Sequence, residues 1–123
     1  QLKSKLGGNS GYIYILHNEI FKHYGENIYK IGCSKDPKRR ASDFTTSYPT
    51  PSKNEYVSNL FPDKLEAEKK LFGLIDYARL ENNREFFKLD ISKIIENITK
   101  IPDYSTIIEN ITKIPDYSTI IEK

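Results

Sequence analysis

Five cations stand among residues 30–40, namely Lys30, Lys35, Lys38, Arg39 and Arg40, against the single anion Asp36. They follow a short apolar run, Ile28 to Ile31, through one glycine, Gly32, and a helix-start signal. Cations gathered at a strand end and the first turn of a helix suit a phosphate, because free helix N–H groups and side-chain charges then act on one anion. On a chain whose net charge is only +2, such a patch implies one place where phosphate is met and no general affinity for polyanions. The plain alternative is a solvated helix start. A nucleotide-binding P-loop is excluded: it needs several glycines and a Lys-Ser/Thr in fixed order, whereas Gly32 is alone and Lys35 is followed by Asp36.

The other reactive side chains narrow the chemistry. A single cysteine, Cys33, rules out an internal disulfide, and with only His17 and His23 a four-ligand zinc site is hard to build. Cys33 reads as a small filler at a strand end, and the two histidines read as surface residues of a loop. Tyr12, Tyr14 and Tyr29 read, from residue type alone, as packing residues of strands. Glu66 and Glu68 stand two apart on one helical stretch and cannot both face inward. At ~100° per residue Ala67, Leu71, Leu74, Ile75 and Ala78 form one apolar arc, with Glu68 at its margin and Glu66 on the opposite side. A carboxylate at the margin of a buried face needs compensation, either from a divalent cation beside a phosphate or from an edge salt bridge. Glu85, ahead of two phenylalanines, reads equally as a salt-bridge partner or as a site residue.

These residues must be positioned by short elements. Tyr12 to Leu16 and Ile28 to Ile31, rich in aromatic and β-branched residues, predict two strands of a hairpin joined by the polar stretch His17 to Asn27. Asp36-Pro37 is an N-cap followed by proline at the first helical position, predicting a helix to about Phe44. The prolines of TTSYPTP end it. Glu55 to Phe61 predicts a third strand. Asp63 caps the longest helix, about Lys64 to Leu80, stopped at Asn82-Asn83, and Arg84 to Leu89 reads as a short extended segment. From Ile94 the unit IIENITKIPDYST occurs twice, at 94–106 and 107–119, before IIEK at 120–123. Its apolar spacing is helical and its proline ends the helix. Two copies fall short of the three or so that a solenoid needs, so the repeat reads as a peripheral packing element, with a partner-binding arm as the alternative.

At 123 residues the chain suffices for one domain with a modest core, and 37% hydrophobic against 29% charged residues is a globular composition. No apolar run approaches the ~18 residues of a membrane span, and QLKSKLGGNS lacks the apolar stretch of a signal peptide. An intracellular location is expected, cytoplasmic or nuclear of the host cell, with no membrane partner. The lack of methionine suggests a piece of a longer protein, in which a flanking domain could supply targeting.

Taken in order, Tyr12-Ile13-Tyr14, Lys30-Ile31-Gly32, Asp36-Pro37, Arg40, Ala67-Glu68 and Glu85-Phe86-Phe87 resemble the GIY-YIG nuclease superfamily. They look most like its T5orf172 branch, common in phages and large DNA viruses, over about residues 11–90. The resemblance implies an α+β fold, a small three-stranded antiparallel sheet flanked by helices, here with a short helical C-terminal repeat. It implies cleavage of DNA phosphodiesters with one divalent metal, Mg²⁺ or Mn²⁺. The carried-over catalytic residues are Tyr14, acting on the attacking water, Lys30, Arg40 on the scissile phosphate, and Glu68 as metal ligand. Lys35, Lys38, Arg39 and Arg40 would contact DNA. Lys30 stands where the superfamily has a tyrosine, which leaves Tyr14, Tyr29 or Lys30 as general base, and Phe72 stands where the branch often has histidine. The expected organisation is a lead-in at 1–10, a nuclease domain at 11–92 and a repeat extension at 93–123. The leading function is a metal-dependent DNA endonuclease. The alternatives are an inactive DNA-binding module of the same fold and a protein-interaction domain that uses the Ile-rich repeat.

Overall fold

The computed structural model of the chain describes residues 8–81 and 84–112, with side chains through residue 109. β1 (Tyr12–Asn18) and β2 (Ile28–Ser34) pair antiparallel, with Tyr14 opposite Gly32 and Ile15 opposite Ile31. β1 runs two residues beyond Leu16. The hairpin connection is a 3-10 helix, Glu19–Tyr24, because the Asn18 side chain accepts a hydrogen bond from the Ile20 N–H and caps it.

β3 (Ser52–Val57) joins the far side of β1, with a register shift between Ile15 and Leu16. β4 (Phe86–Lys88) joins the far side of β2, so the sheet has four antiparallel strands in the order β3-β1-β2-β4, one more than the three expected. A strand of three residues is too short to show alternation, and β2 supplies its pairing. Among the described residues no helix is long and apolar enough to cross a membrane.

Side chains alternate across the sheet and build two cores. On one face Ile13, Ile15, Ile31 and Phe87 pack against α2 (Lys64–Ile75) and α3 (Ile91–Thr99). On the other, Tyr14, Leu16 and Ile28 pack with Phe21 and with Phe44 of α1 (Pro37–Ser47). Asp36 and Asp63 cap α1 and α2 as expected, their carboxylates accepting from the N–H groups of Arg39 and Glu66. α1 outlasts Phe44, with Thr45, Thr46 and Ser47 donating to carbonyls of its own last turns. α2 ends before Leu80, because the backbone of 79–80 is drawn to β4: the Leu80 N–H donates to Phe86 and Arg79 bridges Phe87.

The first repeat copy is no peripheral element. Ile94, Ile98 and Ile101 lie fully within the first core, because the apolar side of α3 faces α2 and the sheet. The second copy begins within α4 (Tyr104–Thr112), where Ile107 and Ile108 are exposed. The first seven residues of the expected lead-in, the Asn82-Asn83 stop and the tail from residue 113 lie outside the described residues.

Candidate active site

β2 outruns β4. Pairing between them ends at Lys30 and Phe86, with one further hydrogen bond from the Ile31 N–H to the Glu85 carbonyl. Gly32 to Ser34 therefore border an open edge, and the polar side chains of interest gather there.

Tyr14 reaches over Gly32. A Cβ at position 32 would stand 2.7 Å from the ring carbon Cζ, inside any real contact distance, so glycine is what leaves room for the phenol. The Arg40 guanidinium, from the first turns of α1, lies near the Tyr14 oxygen. Burial pushes the Tyr14 phenol above its ordinary pKa, and the neighbouring Arg40 guanidinium works against that rise.

Lys30, on the same face as Tyr14, is buried and reaches Glu85 at 2.6 Å. Its Nζ lies 5.1 Å from the ring centroid of Phe44 and 5.3 Å from that of Phe86, so aromatic faces flank the pair. The Arg40 guanidinium also rests on Phe44, 5.0 Å from its centroid.

Glu68 comes to this edge from α2, half-buried beside the Cys33 thiol. Burial, then the nearby Glu85 carboxylate, raises the Glu68 pKa. Burial also pushes the Cys33 thiol up to about 12, so it remains protonated. Glu66 points to solvent. The helical arc placed these two glutamates correctly, although Leu74, assigned to the same arc, is exposed.

Tyr14, Lys30 and Arg40 thus share one face of the sheet, and Glu68, on the helix that covers the other face, is near enough for its charge to act on Tyr14 and for the Lys30 charge to act on it. Lys35, Lys38 and Arg39 are exposed at the start of α1 and make no ion pair among the described residues. Tyr29 is not part of the group: neighbours on a strand point to opposite faces, and its ring packs on the first core and near His17. Phe72 packs on Phe87 in that same core. Glu85, which the sequence leaves open between salt-bridge partner and site residue, is the salt-bridge partner of Lys30, a lysine that local sequence does not point to.

Among the described residues no group of three or more His, Cys, Asp or Glu could hold a metal by itself. Glu68 nonetheless fits one: it is a half-buried carboxylate with no cation at ion-pair distance among the described residues, and a second carboxylate lies near it. One such ligand serves a magnesium-type ion when water and phosphate oxygens fill the remaining positions.

Residues 11–102 match the sequence model of a family described as the T5orf172 domain. Comparison with curated proteins and with solved structures gave no match.

Proposed function

The chain belongs to the T5orf172 domain family, and from that premise we propose that it binds DNA at the edge around Gly32 and hydrolyses a phosphodiester bond there. The observation that carries this reading is that a phenol, a guanidinium and a salt-bridged ammonium share one face of the sheet, next to the open edge of β2. A half-buried carboxylate, with no ion-pair partner among the described residues, is near enough to feel and exert charge on them.

Each residue has work that follows from its surroundings. Arg40, beside the Tyr14 oxygen, grips a non-bridging oxygen of the scissile phosphate and stabilises the charge that grows there. Tyr14 is a neutral phenol at pH 7, as an ordinary phenol is, and burial only strengthens that, so it orients the attacking water; the Arg40 charge eases any proton movement through it. Lys30, fixed by Glu85 and two rings, adds positive potential to the floor. Lys35, Lys38 and Arg39 draw the flanking backbone onto α1. Glu68 is the side chain that would hold Mg²⁺ or Mn²⁺, which supplies charge neutralisation and a more acidic water. Cys33 keeps its proton beside the Glu68 carboxylate. A nuclease whose substrate is genomic DNA would act inside the cell, in the cytoplasm or nucleus.

A binding-only module of the same family has one observation in its favour, the lack of a three-residue ligand cluster among the described residues. Incubating supercoiled and branched DNA with Mg²⁺, Mn²⁺ or a chelator decides between the two. Metal-dependent nicking that Glu68→Gln removes is the expected result. Retained DNA binding without cleavage under every metal would leave the binding module, and no binding at all would end both.

A further inference from the structure

Beside the site, on the Tyr14 face of the sheet, lies a cavity of about 450 Å³ that the reaction does not use. We propose that it receives one unpaired nucleobase of the bound DNA, so that the protein selects DNA carrying an extruded or single-stranded nucleotide. The inference rests on the DNA reading above and adds its substrate class.

The cavity is walled by rings: Phe21, Tyr24, Tyr48 and Phe86 line it, with Glu81 and Arg84 also lining it. Phe21, itself buried, packs edge-on against Tyr48 and Phe86 at 86° and 90° and so makes the back of the cavity, while the exposed Tyr24 offers its ring to a base. The volume falls within the ~300–1,000 Å³ of small-ligand sites, enough for a nucleoside and far too small for a duplex. Aromatic faces stack any base, while a carboxylate and a guanidinium can meet the amino and carbonyl groups of its edge. A base paired within a duplex offers neither free faces nor a free Watson–Crick edge.

Continuity with the site decides the occupant. Phe86, a wall of the cavity, is also the ring against which the Lys30 ammonium rests at 5.3 Å. Tyr48, another wall, stacks on Phe44 at 6.4 Å between centroids, and Arg40 lies 5.0 Å from Phe44. One aromatic layer thus separates the cavity from the cations assigned to the phosphate. That is the arrangement of a nucleotide, with its phosphate on the cations and its base among the rings.

The test uses the full chain in chelator, so that nothing is cut, and two short duplexes differing only in one bulged 2-aminopurine. The bulged duplex should bind roughly ten-fold tighter than the paired one, with a change in 2-aminopurine emission. Tyr24 is 73% exposed, so its truncation leaves the core intact. Tyr24→Ala should abolish the preference without weakening paired-duplex binding, and Tyr24→Phe should keep it. Equal, salt-sensitive affinity for both duplexes, or a preference that survives Tyr24→Ala, overturns the base site and leaves the DNA reading standing. Failure to bind either duplex overturns both.

Discussion

Tyr14 and Gly32 face each other across the β1–β2 pair, and the phenol fills the space that any side chain at position 32 would need. Gly32 does not have the positive φ that marks Gly25, so the requirement is for an absent Cβ and not for an unusual backbone. The Lys-Ile-Gly motif thereby acquires a physical reading: lysine and glycine point to the site face, and the glycine admits the tyrosine of the neighbouring strand.

Gly32→Ala should therefore act on Tyr14. The ring is buried and cannot swing away freely, so overpacking should cost about 1–3 kcal/mol in urea unfolding. Cleavage should fall with it, while DNA binding through the exposed α1 cations persists in the folded fraction. An alanine variant of unchanged stability and activity would show that the ring relaxes without consequence.

Glu68 couples function to stability with a definite sign. Its folded pKa is raised, so between the ordinary carboxylate value and that raised value the folded state keeps a proton that the unfolded chain gives up. Stability then falls as pH rises through that window and stays lowered above it. Glu68→Gln should be more stable than the parent at pH 7, with the difference closing near pH 4, and should lose metal-dependent cleavage by about 100-fold or more. Glu66→Gln, on the solvent side, should change stability by less than about 0.5 kcal/mol and leave cleavage intact. Thermal unfolding across pH 4–8 and a nicking assay read both.

The Lys30–Glu85 pair is unequal: the lysine side chain is 10% exposed and the glutamate 45%. Glu85→Ala strands an ammonium between two rings and should cost about 1–3 kcal/mol, whereas Lys30→Met leaves a carboxylate that water can reach and should cost less. A double-mutant cycle by chemical denaturation checks the order. Reversed costs would mean that Lys30 escapes to solvent when unpaired.

Much of this arrangement was open to inspection in the residues themselves. The two aspartate caps follow from local chemistry, and the separation of Glu68 from Glu66 follows from the helical period. That Tyr29 leaves the Tyr14 face follows from the strand period, once Lys30 is placed on that face. Arg84 to Leu89 reads as extended and Glu85 as a salt-bridge partner or site residue, and what escaped is the pairing of each, which depends on partners distant in sequence. β4 exists as a strand because β2 offers it an edge, and the same strand draws residues 79–80 out of α2. Glu85 joins the site through a lysine fifty-five positions away. The two aromatic flanks of Lys30 come from different elements, Phe44 on α1 and Phe86 on β4, and no local pattern pairs them.

Arg40 should stand apart from generic surface charge. Charge reversal at Arg40 should weaken DNA binding and lower the slope of log affinity against log salt by about 0.9 for each phosphate that is no longer neutralised. The same reversal at Lys53, whose side chain is 80% exposed on β3, should do neither to that extent. Equal effects in a salt titration would reduce the α1 patch to bulk charge.

The tandem repeat supplies its own control, because identical residues occupy different surroundings. Ile94 and Ile107 hold the same place in the two copies, yet Ile94 is 0% exposed and Ile107 37%. Burial, and not helix propensity, separates them, since each opens the same IIENIT stretch within a helix. Ile94→Ala removes methylenes from the packed interface of α3 with α2 and the sheet, and should cost about 2–5 kcal/mol. Ile107→Ala should cost under about 1 kcal/mol. Ending the chain after residue 112 should leave the domain folded, whereas ending it before Ile94 should unfold it, because Ile94, Ile98 and Ile101 leave the core together. Comparable losses of stability for the two alanine variants would place the second copy in the fold as firmly as the first.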